Sequence, residues 1–182
     1  MARIAYPDPA RQSSEVRDRL ARIGSLNVTT MMSHAENLML TYSKMGTALL
    51  LRGALDPVLR EAVILRIGQL CRSDYEWHQH VSVARAVGMS DATLQAIEKG
   101  DYAALEPRQQ LALKVAEEIH RDNSASEATM GEAATQFSSA ELVELCMVAG
   151  YYIMTAGFLR SMAIEIEDTP PLGDSMVAGR SR

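Results

Sequence analysis

The chain has 182 residues, which is enough for one domain with its own hydrophobic core. A formal net charge of −5 argues against a nucleic-acid surface, because phosphate binding needs a basic face. No run approaches the ~18 apolar residues of a membrane span, and the N-terminus lacks the apolar stretch of a signal peptide, so the sequence predicts a cytoplasmic protein.

The predicted elements, taken in chain order, are all helices. Pro7 and Pro9 block a helix over residues 1–10, so this segment is predicted to be an extended N-terminal arm. Caps, glycines and prolines then divide residues 11–168 into about seven or eight helices of one domain, and residues 169–182 are predicted to be a flexible C-terminal tail. No segment alternates with the two-residue period of a strand, so the predicted fold class is all-α. Seven of the predicted helices cover residues 11–23, 28–51, 58–71, 73–88, 90–99, 107–121 and 138–167. A further short helix is predicted to begin at a capping box formed by Ser124 and Glu127.

The helix predicted over residues 58–71 is expected at the centre of the domain, because it is apolar on most sides. The helix that follows returns antiparallel after a short turn. Glu61 on the first helix can therefore approach His80 on the second. A carboxylate at that point would orient the imidazole ring and tune its basicity.

The stretch from Ser73 to His80 holds most of the residues capable of chemistry. Residues three or four apart share one face of a helix, so Ser73, Glu76 and His80 form a single polar line with Trp77 on its flank. The same face continues with apolar residues. A carboxylate and an imidazole at the head of an apolar stripe are costly to bury unless they are paired or used.

Each of these residues also has an ordinary structural explanation. Glu76 can be a solvated first-turn residue that the helix dipole favours, and His80 can be a satisfied core histidine. Glu61 can form a salt bridge with a neighbouring arginine, and Trp77 can simply pack in the core. The three polar residues could also bind a metal, but only one histidine is well placed and the pattern is not His-Glu-x-x-His. No metal is therefore predicted.

Three segments agree in order and spacing with one protein family. They are Leu-Arg-Glu-Ala-Val-Ile-Leu-Arg at 59–66, Tyr-Glu-Trp-His-Gln-His at 75–80 and Ala-Arg-Ala-Val-Gly-Met-Ser at 84–90. With them, the stretch from about His34 to Leu94, and more weakly the last long helix, resembles the carboxymuconolactone decarboxylase and alkylhydroperoxidase-D-like superfamily. The resemblance implies an all-helical AhpD-like fold whose subunits associate into dimers, trimers or hexamers. It implies no organic cofactor.

In the peroxidase branch of that superfamily, the site resembles a glutamate, a Cys-x-x-Cys pair and a histidine four residues beyond the pair. On this chain the glutamate and histidine positions fall on Glu61 and His80, and the two cysteine positions fall on Ser73 and Glu76. A disulfide cycle needs a low-pKa thiolate and a resolving thiol. Thiol peroxidase activity is therefore not expected of this chain. It looks like a branch with Tyr-Glu-Trp-x-x-His in place of the Cys-x-x-Cys motif.

The sequence thus predicts a cofactor-independent, lyase-like enzyme that transfers protons on a small organic acid, lactone or related carbonyl compound. In this hypothesis His80 is the general acid/base, Glu61 orients it, and Glu76 is a second proton carrier or a substrate contact. Two classes of alternative remain: a non-catalytic binding or assembly module on the same scaffold, and a peroxidase-type (peroxiredoxin-like) or metal-dependent enzyme. The expected partners are a small-molecule substrate and further copies of the chain, with no nucleic acid and no membrane. The residues predicted to contact the substrate are Ser73, Tyr75, Trp77, His34 and Arg66.

Overall fold

The computed structural model describes residues 1–168, and every regular element within them is a helix. A short 3₁₀ helix at Pro9–Arg11 is followed by nine α-helices in this part of the chain. The predicted all-α class is confirmed, and the tail predicted at residues 169–182 lies outside the described residues. The α-helices are α1 (Ser14–Ile23), α2 (Asn27–Met32), α3 (Glu36–Leu51), α4 (Pro57–Leu70), α5 (Asp74–Ala86), α6 (Asp91–Lys99), α7 (Pro107–Asp122), α8 (Glu127–Gln136) and α9 (Ser139–Met162).

Helix α4 lies at the centre of the fold, as its apolar composition predicts. Val63, Ile64, Leu65 and Ile67 have no exposed surface, and the helix packs against α5, α7 and α9. Burying a side chain of this kind contributes about 1.5–3 kcal/mol. These contacts fix the position of α4 and of the polar side chains that it carries.

The helix predicted over residues 28–51 is interrupted, and for this reason the described residues hold one more α-helix than the largest number expected. Residues 33–35 separate α2 from α3, and Ala35 has φ −113° and ψ 79°, outside the helical region. The hydroxyl of Ser33 donates to a backbone carbonyl one turn earlier and accepts from Gln12, both at 2.6 Å. Such side-chain bonds compete with helical backbone pairing, and the backbone leaves the helical path here.

Helix α8 begins after Ser126 and not after Ser124 as predicted. The hydroxyl of Ser126 accepts the Thr129 backbone N–H at 3.2 Å. The Glu118 carboxylate on α7 accepts the backbone N–H of Ser126 at 2.7 Å. A contact with a neighbouring helix thus selects one of two serines that are equivalent by local sequence.

Helix α9 ends at Met162 and not near residue 167 as predicted. Ala163 has φ 52°, in the left-handed region, which stops the helix. The segment that follows bonds to the N-terminal arm, where the Glu165 carboxylate accepts the Ala2 backbone N–H at 2.7 Å. These long-range bonds replace the helical ones that the sequence pattern predicts.

By length and composition, α9 could cross a membrane, which is an exception to the expectation that the chain holds no such run. Core helices meet the same test, and 44% of the most apolar window of α9 is buried inside the domain. The helix packs against α4 and α7. Its place in the core accounts for its composition.

Candidate active site

Helices α4 and α5 form an antiparallel pair that brings Glu61 to His80. Ser73 caps α5, since its hydroxyl accepts the Glu76 backbone N–H at 3.5 Å. Gly68 lets the two helices approach each other, because a Cβ at this position would lie 3.2 Å from the Glu76 Cβ. Glu61 lies about two turns before Gly68 on the same face of α4. The approach of Glu61 to His80 that the sequence predicts is present in the structure.

A row of charged groups is buried at this contact. His80 Nδ1 lies 2.7 Å from Glu61 Oε2, and His80 Nε2 lies 3.5 Å from Glu76 Oε2. On the other side, Arg60 Nε donates to Glu61 Oε1 at 3.1 Å. The exposed fractions are 0% for Glu61, 3% for Glu76 and 4% for both His80 and Arg60. Glu61, His80 and Glu76, which we call the proton array, are therefore shielded from bulk water.

The contact with Glu61 fixes which ring nitrogen of His80 can act. An ionised carboxylate only accepts hydrogen bonds, so Nδ1 carries the hydrogen that Glu61 receives. Nε2 is then the nitrogen available to exchange a proton. Burial lowers the pKa of His80, but the charge and hydrogen bond of Glu61, together with the charge of Glu76, raise that pKa above its ordinary value of 6.5. The two carboxylates thus stabilise the protonated form of the ring.

Glu76 is a carboxyl group that titrates near neutrality. Burial raises its pKa from 4.5 to about 7, the charge of Glu61 adds to the rise, and His80 opposes it. A group whose pKa lies near the working pH can both give and take a proton. The proton array therefore combines an imidazole and a carboxyl group whose pKa values are both raised.

A cavity of about 410 Å³ opens beside the proton array. Its wall is formed by residues of the N-terminal helices α1 to α3 and of α5 and α9. Glu76 and His80 belong to this wall, whereas Glu61 contacts His80 from outside it. The volume is in the range of small-molecule sites, so a small organic compound can reach two members of the array.

The cavity also contains residues that sequence reasoning missed. Tyr42 and Tyr151 stack with their ring centroids 4.7 Å apart, and the hydroxyl of Tyr42 lies 3.0 Å from that of Thr155. The ring of Tyr152 stands at 88° to the ring of His80, with the centroids 4.9 Å apart. One signal in the sequence was available, namely a pair of tyrosines and a threonine inside an apolar helix, since buried hydroxyls need partners. The missed cavity residues that bear polar groups are Arg22, Ser43, Thr29, Thr47, Tyr42, Gln79, Tyr151, Tyr152 and Thr155.

Three of the five residues predicted to contact the substrate belong to α5 or cap it, and one of these three lines the cavity. Tyr75 is in the wall, and its hydroxyl donates to the Glu167 carboxylate. Ser73 is buried as the cap of the helix. Trp77 packs against the apolar cluster around Leu65. Ser73 and Trp77 therefore take no part in the cavity wall.

His34 and Arg66, which are also predicted to contact the substrate, do not line the cavity. His34 is exposed, and its Nε2 lies 2.9 Å from the carbonyl oxygen of Ala5. Arg66 Nε donates to Glu117 Oε1 at 2.6 Å, and the guanidinium lies over the ring of Tyr102 at 5.6 Å. The partners that hold these two side chains come from other elements, which helical periodicity alone does not identify.

The two cysteines do not supply a reactive thiol at this site. Cys71 and Cys146 are unpaired and partly buried, and neither lines the cavity. Burial raises the pKa of both thiols. A raised pKa disfavours the thiolate that a peroxidase cycle requires.

The donors of the proton array are arranged for hydrogen bonding. Within residues 1–168, no group of three or more His, Cys, Asp or Glu side chains is placed to hold a metal ion. His80 Nδ1 is engaged by Glu61 at 2.7 Å, and a ring nitrogen that carries a hydrogen offers no lone pair to a metal.

Replacing Glu76 with glutamine is expected to change how stability depends on pH. A raised pKa means that the folded protein favours protonated Glu76, so this contribution to stability is complete below pH 4.5 and is lost as the pH rises through about 7. Between these limits, the free energy of unfolding of the wild type should fall by about 3 kcal/mol relative to Glu76→Gln. Urea unfolding at several pH values measures the difference.

The exposed Glu98 provides the matched control for this measurement. Glu98→Gln should track the wild type at every pH, because its carboxylate is solvated in both states. If the difference between the wild type and Glu76→Gln does not change with pH, Glu76 does not titrate near neutrality in the folded protein.

The fold is that of the AhpD-like class of helical proteins. A peroxidase-related protein with an alkylhydroperoxidase AhpD core, from Ralstonia eutropha, has a TM-score of 0.81 at 16% identity, and the match covers 98% of this chain and 96% of that one. A peroxidase-related protein from a Silicibacter species has a TM-score of 0.79 at 17% identity, with 92% of each chain covered. The debrominase Bmp8, solved as a variant in complex with 2,3,4-tribromopyrrole, has a TM-score of 0.73 at 13% identity, with 100% of this chain and 98% of that one covered.

The model of the carboxymuconolactone decarboxylase family matches residues 36–118, a stretch that contains the whole proton array. The match to this family model and the AhpD-like fold agree with the resemblance that the sequence motifs carry. No curated protein matches the sequence.

Proposed function

We propose that this protein is a cofactor-independent enzyme that transfers protons on a small organic acid, lactone or related carbonyl compound. The observation that carries the proposal is the proton array at the wall of the cavity. His80 is held through Nδ1 by Glu61 at 2.7 Å, which leaves Nε2 for the substrate side, and Glu76 lies 3.5 Å from Nε2. Two proton carriers thus stand beside a space of about 410 Å³.

The array suits two related reactions. In the first, the Glu76 carboxylate or neutral His80 takes a proton from a carbon next to a carbonyl group, and the electrons of the C–H bond move to the carbonyl oxygen as an enolate. In the second, the bond to a substrate carboxylate breaks, carbon dioxide leaves, and the imidazolium of His80 protonates the carbon that keeps the electron pair. Each step needs a group with a pKa near neutrality, and the pKa of Glu76 is raised to about 7.

The cavity offers one place for the carboxylate of an organic acid. Arg22 contributes to the wall at the end of α1, and its side chain is exposed. Arg66 and Arg85, by contrast, are engaged by Glu117 and Asp91. A substrate carboxylate bound at Arg22 would lie in the same cavity as Glu76 and His80. The solved complex of the debrominase of this fold with a small bromopyrrole supports a compound of similar size.

Exchange of solvent deuterium into candidate substrates tests the proposal. The wild-type protein is incubated in deuterium oxide with small carboxylated lactones and keto acids, and the C–H signals next to the carbonyl group are followed by NMR. Exchange or decarboxylation faster than in buffer supports the proposal. Rates equal to those in buffer for both compound classes contradict it.

A non-catalytic module on the same scaffold is the second candidate. The observation that favours it is the complete burial of Glu61, which is paired with both Arg60 and His80. A network of this kind also serves to fix helix packing, and its loss costs a few kcal/mol. In that case the array contributes stability and no substrate turns over.

We also propose that the chain self-associates through an apolar face on α9. Val143, Met147 and Met154 follow one another at spacings of four and seven residues along α9, so they share one face of this helix. Large apolar side chains that stay exposed in contiguous patches commonly mark an interface. Those on this face are Val143 (63% exposed), Met147 (46%) and Met154 (55%).

Light scattering tests this association. The wild type is expected to have a mass that is a multiple of 19.9 kDa, and Met147→Lys combined with Met154→Lys should shift it towards the monomer, because buried lysines are costly at an apolar interface. Ile4→Lys, on an exposed residue of the N-terminal arm, is the control. A monomeric wild type would contradict the proposal.

A further inference from the structure

Four tyrosines line the cavity, and the hydroxyls of three of them are used within the protein. The Tyr42 hydroxyl lies 3.0 Å from the Thr155 hydroxyl. The Tyr151 hydroxyl donates to the Tyr42 carbonyl at 3.1 Å. The Tyr75 hydroxyl donates to the Glu167 carboxylate. These three phenols hold the wall of the cavity together and have internal partners.

Tyr152 differs from the other three. Its side chain is 4% exposed, yet no hydrogen bond joins its hydroxyl to another residue in the described part of the chain. Among the described residues, the only fully buried side-chain nitrogen or oxygen atoms without a hydrogen-bond partner are His78 Nε2 and Arg108 Nε. The Tyr152 oxygen is not one of them, so it is accessible to a water molecule. Its oxygen is therefore open to the cavity.

The ring of Tyr152 lies next to His80 in the proton array. Its ring stands edge-on to the ring of His80 with the centroids 4.9 Å apart. Burial raises the pKa of Tyr152 well above its ordinary value of 10, and the nearby carboxylates of Glu76 and Glu61 add to the rise. The phenol therefore favours its protonated form, in which it can donate a hydrogen bond.

The Tyr152 hydroxyl has no partner among the described residues, but it is open to the cavity, so an occupant of the cavity can complete its hydrogen bond. Native proteins rarely keep such a group unless water or a ligand completes its hydrogen bond. In a cavity walled by aromatic rings, the occupant that completes it must offer an acceptor near His80. Glu76 and Glu61 stand close by, so a neutral oxygen is a better acceptor there than a second carboxylate.

We propose that the Tyr152 hydroxyl donates a hydrogen bond to the carbonyl oxygen of the substrate while the neighbouring carbon lies against His80. This inference rests on the proposed function and narrows its substrate class to compounds with an enolisable or conjugated carbonyl group. As the carbon loses its proton to Glu76 or His80, charge moves to the carbonyl oxygen, and the Tyr152 bond strengthens. Tyr152 is then a catalytic residue that contacts the reacting group.

Binding of two probe compounds of similar shape tests the inference without any turnover. Acetophenone carries a carbonyl group with an enolisable methyl group, and ethylbenzene lacks the oxygen. Tyr152→Phe is expected to weaken acetophenone binding about tenfold and ethylbenzene binding by less than about twofold, as the loss of one hydrogen bond requires. Isothermal titration calorimetry measures both dissociation constants. The infrared carbonyl band of bound acetophenone should lie at lower frequency in the wild type than in Tyr152→Phe.

Tyr102→Phe is the matched control, since it removes a phenol hydroxyl that donates to Glu117 away from the cavity. It should bind both probes as the wild type does. Equal weakening of both probes by Tyr152→Phe, unchanged acetophenone binding, or no binding of acetophenone to the wild type overturns the inference. An inactive protein can still pass this test, and an active one can fail it, so the outcome is separate from that of the deuterium exchange assay.

Discussion

Replacing His80 with glutamine is expected to lower catalysed deuterium exchange by about 10²–10⁴-fold, the usual contribution of a general acid or base. Glutamine keeps an N–H donor that can serve Glu61, but it has no group that gains or loses a proton near neutral pH. The remaining rate should come from binding and from Glu76. NMR measurement of exchange under identical conditions for both proteins gives the ratio.

His78→Gln is the matched control for this comparison. His78 lies on the same helix as His80, does not line the cavity and is not a member of the proton array. Its rate should stay close to that of the wild type. Thermal unfolding of each variant shows whether a lower exchange rate reflects lost chemistry or lost folded protein. A folded His80→Gln protein that exchanges deuterium at the wild-type rate would show that His80 takes no part in the mechanism. A His80→Gln protein that loses mainly stability would favour the non-catalytic module.

Replacing Glu61 with alanine is expected to lower the free energy of unfolding by about 3–5 kcal/mol, as breaking a buried ion pair commonly does. Glu61 has no exposed surface and binds Arg60 at 3.1 Å and His80 at 2.7 Å. Its removal leaves two buried cationic groups without their carboxylate. Glu61→Gln should cost less, because the amide keeps an acceptor oxygen for one of these partners.

Urea unfolding measures both effects, and Glu132→Ala is the control. Glu132 pairs with Lys114 at 3.8 Å on the surface, where both side chains are more than half exposed, so its loss should cost less than about 1 kcal/mol. NMR titration provides a second observable, since Glu61→Gln should lower the pKa of His80. If Glu61→Ala costs no more than Glu132→Ala, the array does not depend on a buried ion pair.

Helix starts follow from the sequence where one residue supplies the cap. Asp56 accepts backbone N–H groups at the start of α4, ahead of Pro57, and Ser90 and Ser138 cap α6 and α9 in the same way. These signals involve residues two or three apart, so the local sequence contains all the groups that form the bond. The positions of the helix starts that depend on such caps are therefore correctly predicted.

The three elements predicted wrongly depend on groups that are distant in the chain. Gln12 bonds the hydroxyl of Ser33 where the predicted second helix breaks. Glu118 selects Ser126 as the cap of α8, and Glu165 bonds the N-terminal arm beyond the end of α9. In each case the local pattern allows more than one outcome, and a tertiary contact chooses between them.

The same distinction between local sequence and tertiary contacts applies to the candidate site. The sequence by itself determined the all-helical class, the central place of α4 and the meeting of Glu61 with His80, because a periodic apolar pattern and a short turn between adjacent helices settle these features. Only the tertiary structure decided the cavity and its contents. Arg22, Tyr42 and Tyr152 reach it from α1, α3 and α9, and the packing that brings them to His80 depends on side-chain contacts between helices that no spacing along the chain records.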